Sequence, residues 1–246
     1  AEDFEAAASL AAPLTSRRAT IRAMVDAIQQ GRAAAAASLA AFCYMFLYST
    51  IQFVMVAALY SAGAVIGDMQ FLFVDLVIVL PLATLMGRTD AARTLTAAKP
   101  PGTLRHPAVI ASGLGQAGLQ IGFQLAALAA VWRAGLWDGP EAVLALMGHG
   151  AHTLVVKTPG VSALWAFVNL QYVWTAVALN RGPPFRRPLS SNVPFAATAG
   201  VLTLLCLWLL VAPTAGVRHA LELLPLPPHL RVGLGGLALL NGACSV

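Results

Sequence analysis

Apolar runs of about twenty residues recur along this chain, and they leave little choice of fold. A run of that length matches the roughly 30 Å hydrocarbon core of a bilayer at about 1.5 Å rise per helical residue. Inside hydrocarbon every backbone N–H and C=O must be bonded within the segment, as a helix does. Six windows fit: 33–60, 71–86, 107–131, 161–179, 193–211 and 230–246, the last short and rich in glycine. The expected fold class is all-α, a polytopic membrane helix bundle of about six transmembrane helices. Charge agrees, since Asp, Glu, Lys and Arg make up 10% of the 246 residues, against roughly 25% in a soluble domain.

The placement of the basic residues gives the topology. Arg17, Arg18, Arg22 and Arg32 precede the first window, Arg88, Arg93, Lys99 and Arg105 follow the second, and Arg181, Arg186 and Arg187 follow the fourth. The opposite side has Arg133, Lys157, Arg218 and Arg231. Positive charge collects on the cytosolic side, so the front segment is expected in the cytosol. The net charge of +5 is therefore a topology signal, and no nucleic-acid partner is expected. Arg186-Arg187 would touch anionic headgroups or a cytosolic domain, or serve the topology alone. Cys43, Cys206 and Cys244 sit in apolar runs and are read as free thiols. Ala1 opens the chain in a polar segment with no signal peptide, and Val246 ends it in an apolar one. The expectation is a fragment of a longer protein.

From Ile21 to Tyr60 only Gly31 interrupts helical character. Forty residues make about 60 Å of helix, twice the membrane thickness. One helix is expected to start in water and run into the membrane, with a break at Gly31 as the alternative.

The second window carries the costliest residue. Asp75 lies inside an apolar run with no basic residue nearby in sequence, and an aspartate at a membrane helix centre costs roughly 2.5 to 3.5 kcal/mol. Such an acid is by default part of a substrate or ion pathway. Asp68 precedes it by seven residues, about two turns, on nearly the same helical face. Pro81 lacks an N–H and its ring clashes with the Val77 carbonyl, so it kinks or loosens this helix or else simply packs. On the first window Tyr44, Tyr48 and Gln52 recur every four residues, one face of a helix. Set against the acids they would make a pocket for an organic cation, with a carboxylate for charge and ring faces for cation–π contact. The bland alternative is hydrogen bonding between helices. Tyr48, Gln52, Asp68 and Asp75 are the first candidates, and Tyr44, Phe71 and Pro81 the second.

Other patterns carry less. Gln116, Gln120 and Gln124 form a stripe on the third window, and Gly118 and Gly122 suggest close helix approach; packing is the expected role. Gly113 to Gly118 match GxGxxG inside a membrane span, where no dinucleotide site forms. His149 and His152 lack a third ligand, and no metal site is expected. No Walker loop or Ser/His/Asp set is present, so catalytic residues and cofactors are expected to be absent from this chain.

Three stretches together resemble the membrane half of type 5B P-type ATPases. They are Ala11-Ala-Pro-Leu-Thr-Ser16 with Gln30-Gly-Arg32; Tyr44-Met-Phe-Leu-Tyr48-Ser-Thr-Ile-Gln52 with Gly67 to Asp75 and Met86-Gly-Arg88; and Asn169-Leu-Gln171-Tyr172 with Gly182-Pro-Pro-Phe-Arg-Arg-Pro-Leu189 and Asn192-Val-Pro-Phe195. Lys99-Pro-Pro-Gly102 is similar to the loop after that family's sixth helix. The resemblance implies that residues 1–32 close a phosphorylation domain and form its stalk, and that 33–246 hold helices five to ten. It implies a pathway through Tyr48, Gln52, Asp68 and Asp75. It also implies a polyamine moved from lumen to cytosol, and an endosomal, lysosomal or vacuolar membrane. Membrane lipid, the cytosolic domains and helices one to four would be its partners, with ATP and Mg2+ used by the complete protein. A type 5A helix dislocase, an inorganic-cation pump, an unrelated carrier and an inert membrane stub remain alternatives.

Overall fold

The computed structural model describes residues 21–137 and 157–246. The expectations for residues 1–20 and for His149 and His152 lie outside the described residues. The described residues form no β-strand, only isolated bridge residues such as the pair Ala91 with Arg186.

Helix α1, Ile21–Ser61, is a single 41-residue element that runs through Gly31 without a break. It reaches about 60 Å. Its buried face holds Tyr44, Leu47, Ile51, Met55 and Leu59, the three-to-four-residue spacing of one helical stripe. Towards its start only Ala23 and Ala33 are buried, while Ile21, Met24 and Ile28 are exposed. The first part thus stands clear of the bundle and the second part belongs to it.

Helix α2, Asp68–Met86, follows after a short turn. Its middle, Val74–Val79, is a π-helix in which the Leu80 N–H donates to the Asp75 carbonyl, five residues back. Pro81 accounts for the change. An α-helical turn would drive its ring into the Val77 carbonyl, and a wider turn relieves that contact. The expected loosening is present, and it takes the form of π winding upstream of the proline.

Helix α3, Pro107–Arg133, starts with Pro107 after His106, whose Nδ1 accepts from the Ala108 N–H at 3.3 Å. Helix α4, Pro159–Leu179, is capped by Thr158, whose Oγ1 accepts from the Val161 N–H at 3.1 Å. Helix α5 is Val193–Val211, α6 is the short Ala215–Ala220, and α7 is Pro228–Ser245. In α4, 17 of 21 residues are buried, which makes it the post of the bundle, with α1, α2, α3, α5 and α7 packed round it. Among the described residues five helices (α1 to α5) are long and apolar enough to cross a membrane, which agrees with an all-α membrane bundle of about six spans. α7 stands where the sixth span was expected, but Arg231, Asn241 and four glycines dilute its hydropathy. It is held by α3, α4 and α5 regardless.

The three basic segments meet at one end of the bundle. Arg32 Nη1 donates to the carbonyls of Thr96 (2.5 Å) and Ala98 (2.9 Å), and Gln29 Nε2 to that of Arg93 (3.3 Å). Loop 87–106 in turn clasps loop 180–192. The Ala92 N–H donates to Phe185 O at 3.0 Å and the Arg187 N–H to Asp90 O at 2.9 Å. Arg187 Nη1 also pairs with Asp90 at 3.0 Å. Gly182 permits the turn, since a Cβ there would lie 2.4 Å from the Arg187 carbonyl. Arg186 is buried and donates through Nη2 to the Met86 carbonyl at the end of α2. Its burial lowers its pKa. Arg186 therefore holds the end of a helix, which corrects the reading of a headgroup or domain contact.

Candidate functional site

The candidate side chains come from three helices. Tyr48 and Gln52 sit one turn apart on α1, Asp75 lies at the start of the π segment of α2, and Tyr172 is on α4. Tyr48 Oη donates to Asp75 Oδ1 at 2.5 Å. Tyr172 Oη donates to Gln52 Oε1 at 3.0 Å. The rings of Tyr48 and Tyr172 are tilted by 54° with centroids 5.4 Å apart. Of the α1 stripe, Tyr48 therefore meets the acid of α2 and Gln52 meets Tyr172 of α4.

Within this chain Asp75 lies on an exposed face of α2, beside buried Val74 and Ile78. Its carboxylate has no ion-pair partner among the described residues, and one of its oxygens is held by a phenol. An unpaired carboxylate beside two aromatic rings on an apolar wall suits a cation that also has a hydrocarbon part. Such attraction strengthens as the dielectric falls.

The other candidates are placed differently. Asp68 is exposed in the first turn of α2, about 10 Å along the helix from Asp75. A carboxylate there also suits the positive end of the helix dipole. Tyr44 is fully buried with no partner for its hydroxyl among the described residues. It faces the core of the bundle and not the open side of α2. Phe71 is half-buried against the apolar core, and Pro81 is half-buried in α2.

Sequence reasoning gave Tyr172 no role. A lone tyrosine in a mostly apolar helix has no stripe of its own, and only the three-dimensional crossing of α1 and α4 brings it to Tyr48 and Gln52. Gln70 was also passed over. Its Nε2 donates to Leu221 O at 2.8 Å, and its carbonyl accepts from Trp165 Nε1 at 3.3 Å, which ties the start of α2 to α4.

The glutamine stripe of α3 is structural. Gln116 donates to Ser245 O (3.0 Å), Gln120 to Ser245 Oγ (2.9 Å) and Gln124 to Ile51 O (3.3 Å). Gln171 and Asn241 both donate to Gln120 Oε1, at 3.0 and 3.1 Å. Polar groups bonded across helices hold bundles together where the hydrophobic effect does not. Gly118 and Gly122 contradict the expected close approach, since a Cβ on either would meet nothing within 4 Å. The glutamines occupy the packed side of α3, so the glycines between them face outwards. Close approach occurs instead at Gly242 of α7, where a Cβ would lie 2.7 Å from the Trp174 ring. Among the described residues no three His, Cys, Asp or Glu gather as a metal site would require.

No family model matches the chain. Curated relatives do. Mouse polyamine-transporting ATPase 13A2 is 37% identical over 85% of this chain and 17% of its own length. The chain belongs with the type 5B P-type ATPases. The vacuolar cation-transporting ATPase YPK9 of Saccharomyces cerevisiae is 36% identical over 78% of the chain and 12% of its own length. Mouse polyamine-transporting ATPase 13A3 is 30% identical over 98% of the chain and 21% of its own length. The chain therefore spans about a fifth or less of the type 5B proteins it matches, and it corresponds to a multi-pass membrane portion of a P-type transporter.

Proposed function

We propose that this chain is the membrane part of an ATP-driven transporter that moves a polyamine from lumen to cytosol, with Tyr48, Gln52 and Asp75 in its pathway. The observation that carries this reading is the Asp75 carboxylate, with no cation of its own among the described residues and held by Tyr48 at 2.5 Å. A polyamine brings ammonium groups for such a carboxylate and methylenes for the tyrosine rings. Asp68, two turns nearer the lumenal end, is placed to attract a second ammonium. Phe71, on the same helix between the two acids, adds an apolar surface. The names of the mouse relatives point to polyamines, and that of the yeast relative to cations and a vacuolar membrane. An endosomal, lysosomal or vacuolar membrane is the compartment proposed.

ATP and Mg2+ serve the complete protein in this reading. No step of ATP chemistry is assigned to this chain. Its part is to hold the cation and to link it to the cytosolic end through α1. The opposite wall of the pathway belongs to helices of the complete protein outside this chain. An inorganic-cation pump would need several oxygen ligands round a small ion, and one carboxylate with a phenol and an amide supplies fewer.

The test is ATP hydrolysis by the complete protein against added spermine, with Asp75→Asn beside it. Stimulation in the parent and its loss in the variant are expected. Stimulation that survives the substitution unchanged removes Asp75 from the pathway.

A further inference from the structure

We propose that Tyr172 of α4 is a positioning residue of this site, fixing Gln52 and Tyr48 in the arrangement that a protonated amine meets. The inference rests on the transport reading above and extends its site from two helices to three.

Tyr172 is fully buried on a helix that is itself buried along most of its length. Its hydroxyl donates to Gln52 Oε1 at 3.0 Å, and its ring meets that of Tyr48 at 5.4 Å. Tyr48 passes the constraint on to Asp75. One side chain on the most enclosed helix therefore orients both candidate residues of α1, and through Tyr48 the acid of α2. Without it the Gln52 amide is free to turn. An ammonium donates hydrogen bonds and accepts none, so a Gln52 that turned its NH2 towards the ligand would oppose binding. Holding Oε1 in place keeps a lone pair available, because a carbonyl oxygen accepts two bonds. Tyr172 is thus set to favour a cation that donates hydrogen bonds.

The experiment uses the complete protein and reads spermine-stimulated ATP hydrolysis as KM and kcat. Tyr172→Phe keeps the ring and removes the hydroxyl. The expected result is a KM raised about fivefold with kcat within about twofold, the size of one lost hydrogen bond that serves binding alone. Gln52→Ala raises KM by itself, and adding Tyr172→Phe to it is expected to change KM no further, because the hydroxyl acts through Gln52. A KM unmoved by Tyr172→Phe overturns the proposal. So does an equal effect in both backgrounds, or a loss of turnover with KM unchanged, which marks a structural role only. A parent protein with no response to spermine overturns the transport reading, and this inference with it. A responsive parent with a silent Tyr172→Phe overturns this inference alone.

Discussion

Replacing Arg32 by alanine tests whether the stalk end of α1 is mechanically tied to the loop after α2. Arg32 is half-buried and its Nη1 donates to two carbonyls, Thr96 at 2.5 Å and Ala98 at 2.9 Å. A hydrogen bond from a charged donor contributes about 1.5–3 kcal/mol. Partial exposure and a shared nitrogen reduce the pair to about 2 kcal/mol in total, close to a thirtyfold change in an equilibrium. A second tether from the α1 stalk, Gln29 to Arg93 O at 3.3 Å, is exposed and weaker. The exposed Arg93–Thr94 bond inside this loop is a trypsin site. Where opening and closing outpace cleavage, the cleavage rate follows the open population. Arg32→Ala should therefore speed cleavage after Arg93 by roughly ten- to thirtyfold in detergent-solubilised protein. Arg32→Lys, a point donor on a flexible stem, should fall between variant and parent. An unchanged rate in Arg32→Ala would refute the reasoning, because the loop would then be held by contacts other than those of Arg32.

Three further substitutions are read by thermal unfolding in detergent. Gly242→Leu places a side chain where the Trp174 ring lies 2.7 Å from the Cβ position, and should cost about 1–3 kcal/mol by overpacking; Gly118→Leu, with open space at its Cβ, should stay within about 0.5 kcal/mol of the parent. Tyr44→Phe removes a buried hydroxyl that has no partner among the described residues, and should be neutral or stabilise by about 1 kcal/mol; a loss above 1 kcal/mol would show that the hydroxyl is bonded.

The fold was legible where a single helix carries its own signal. The length of α1 follows from the unbroken composition of Ile21 to Tyr60, and its buried stripe from the spacing of Tyr44, Leu47 and Ile51. That the basic segments share one end of the bundle was legible in their unequal distribution, and the contacts of Arg32 and Arg187 bring them together there. What escaped depends on which side of a helix is covered. Gly118 and Gly122 have a spacing that suits packing, but the neighbouring glutamines bond to α4, α7 and α1 and claim that side. Arg186 reads as a charge at a membrane edge, and only the loop clasp buries it. The pairing of Tyr48 with Asp75 could be anticipated, since an acid in an apolar run must find a donor. Its third partner could not, because nothing in the composition of α4 sets Tyr172 apart.

The burial of α4 also bears on how this chain meets its bilayer. At 21 residues it is about 31 Å long, close to the hydrocarbon thickness. Its surface is covered by other helices of the same chain. A change in lipid thickness acts on helices through their lipid-facing surface, by tilt or by stretching the bilayer, at a fraction of a kcal/mol per Å. α4 offers almost no such surface, whereas α2 presents Leu72, Leu76 and Leu80 outwards. Wherever α2 meets lipid, thinning or thickening acts on it and leaves the post upright. Asp75 belongs to the helix that the lipid can move and Tyr172 to the post, and Tyr48 of α1 touches both, bonded to the one and ring against ring with the other.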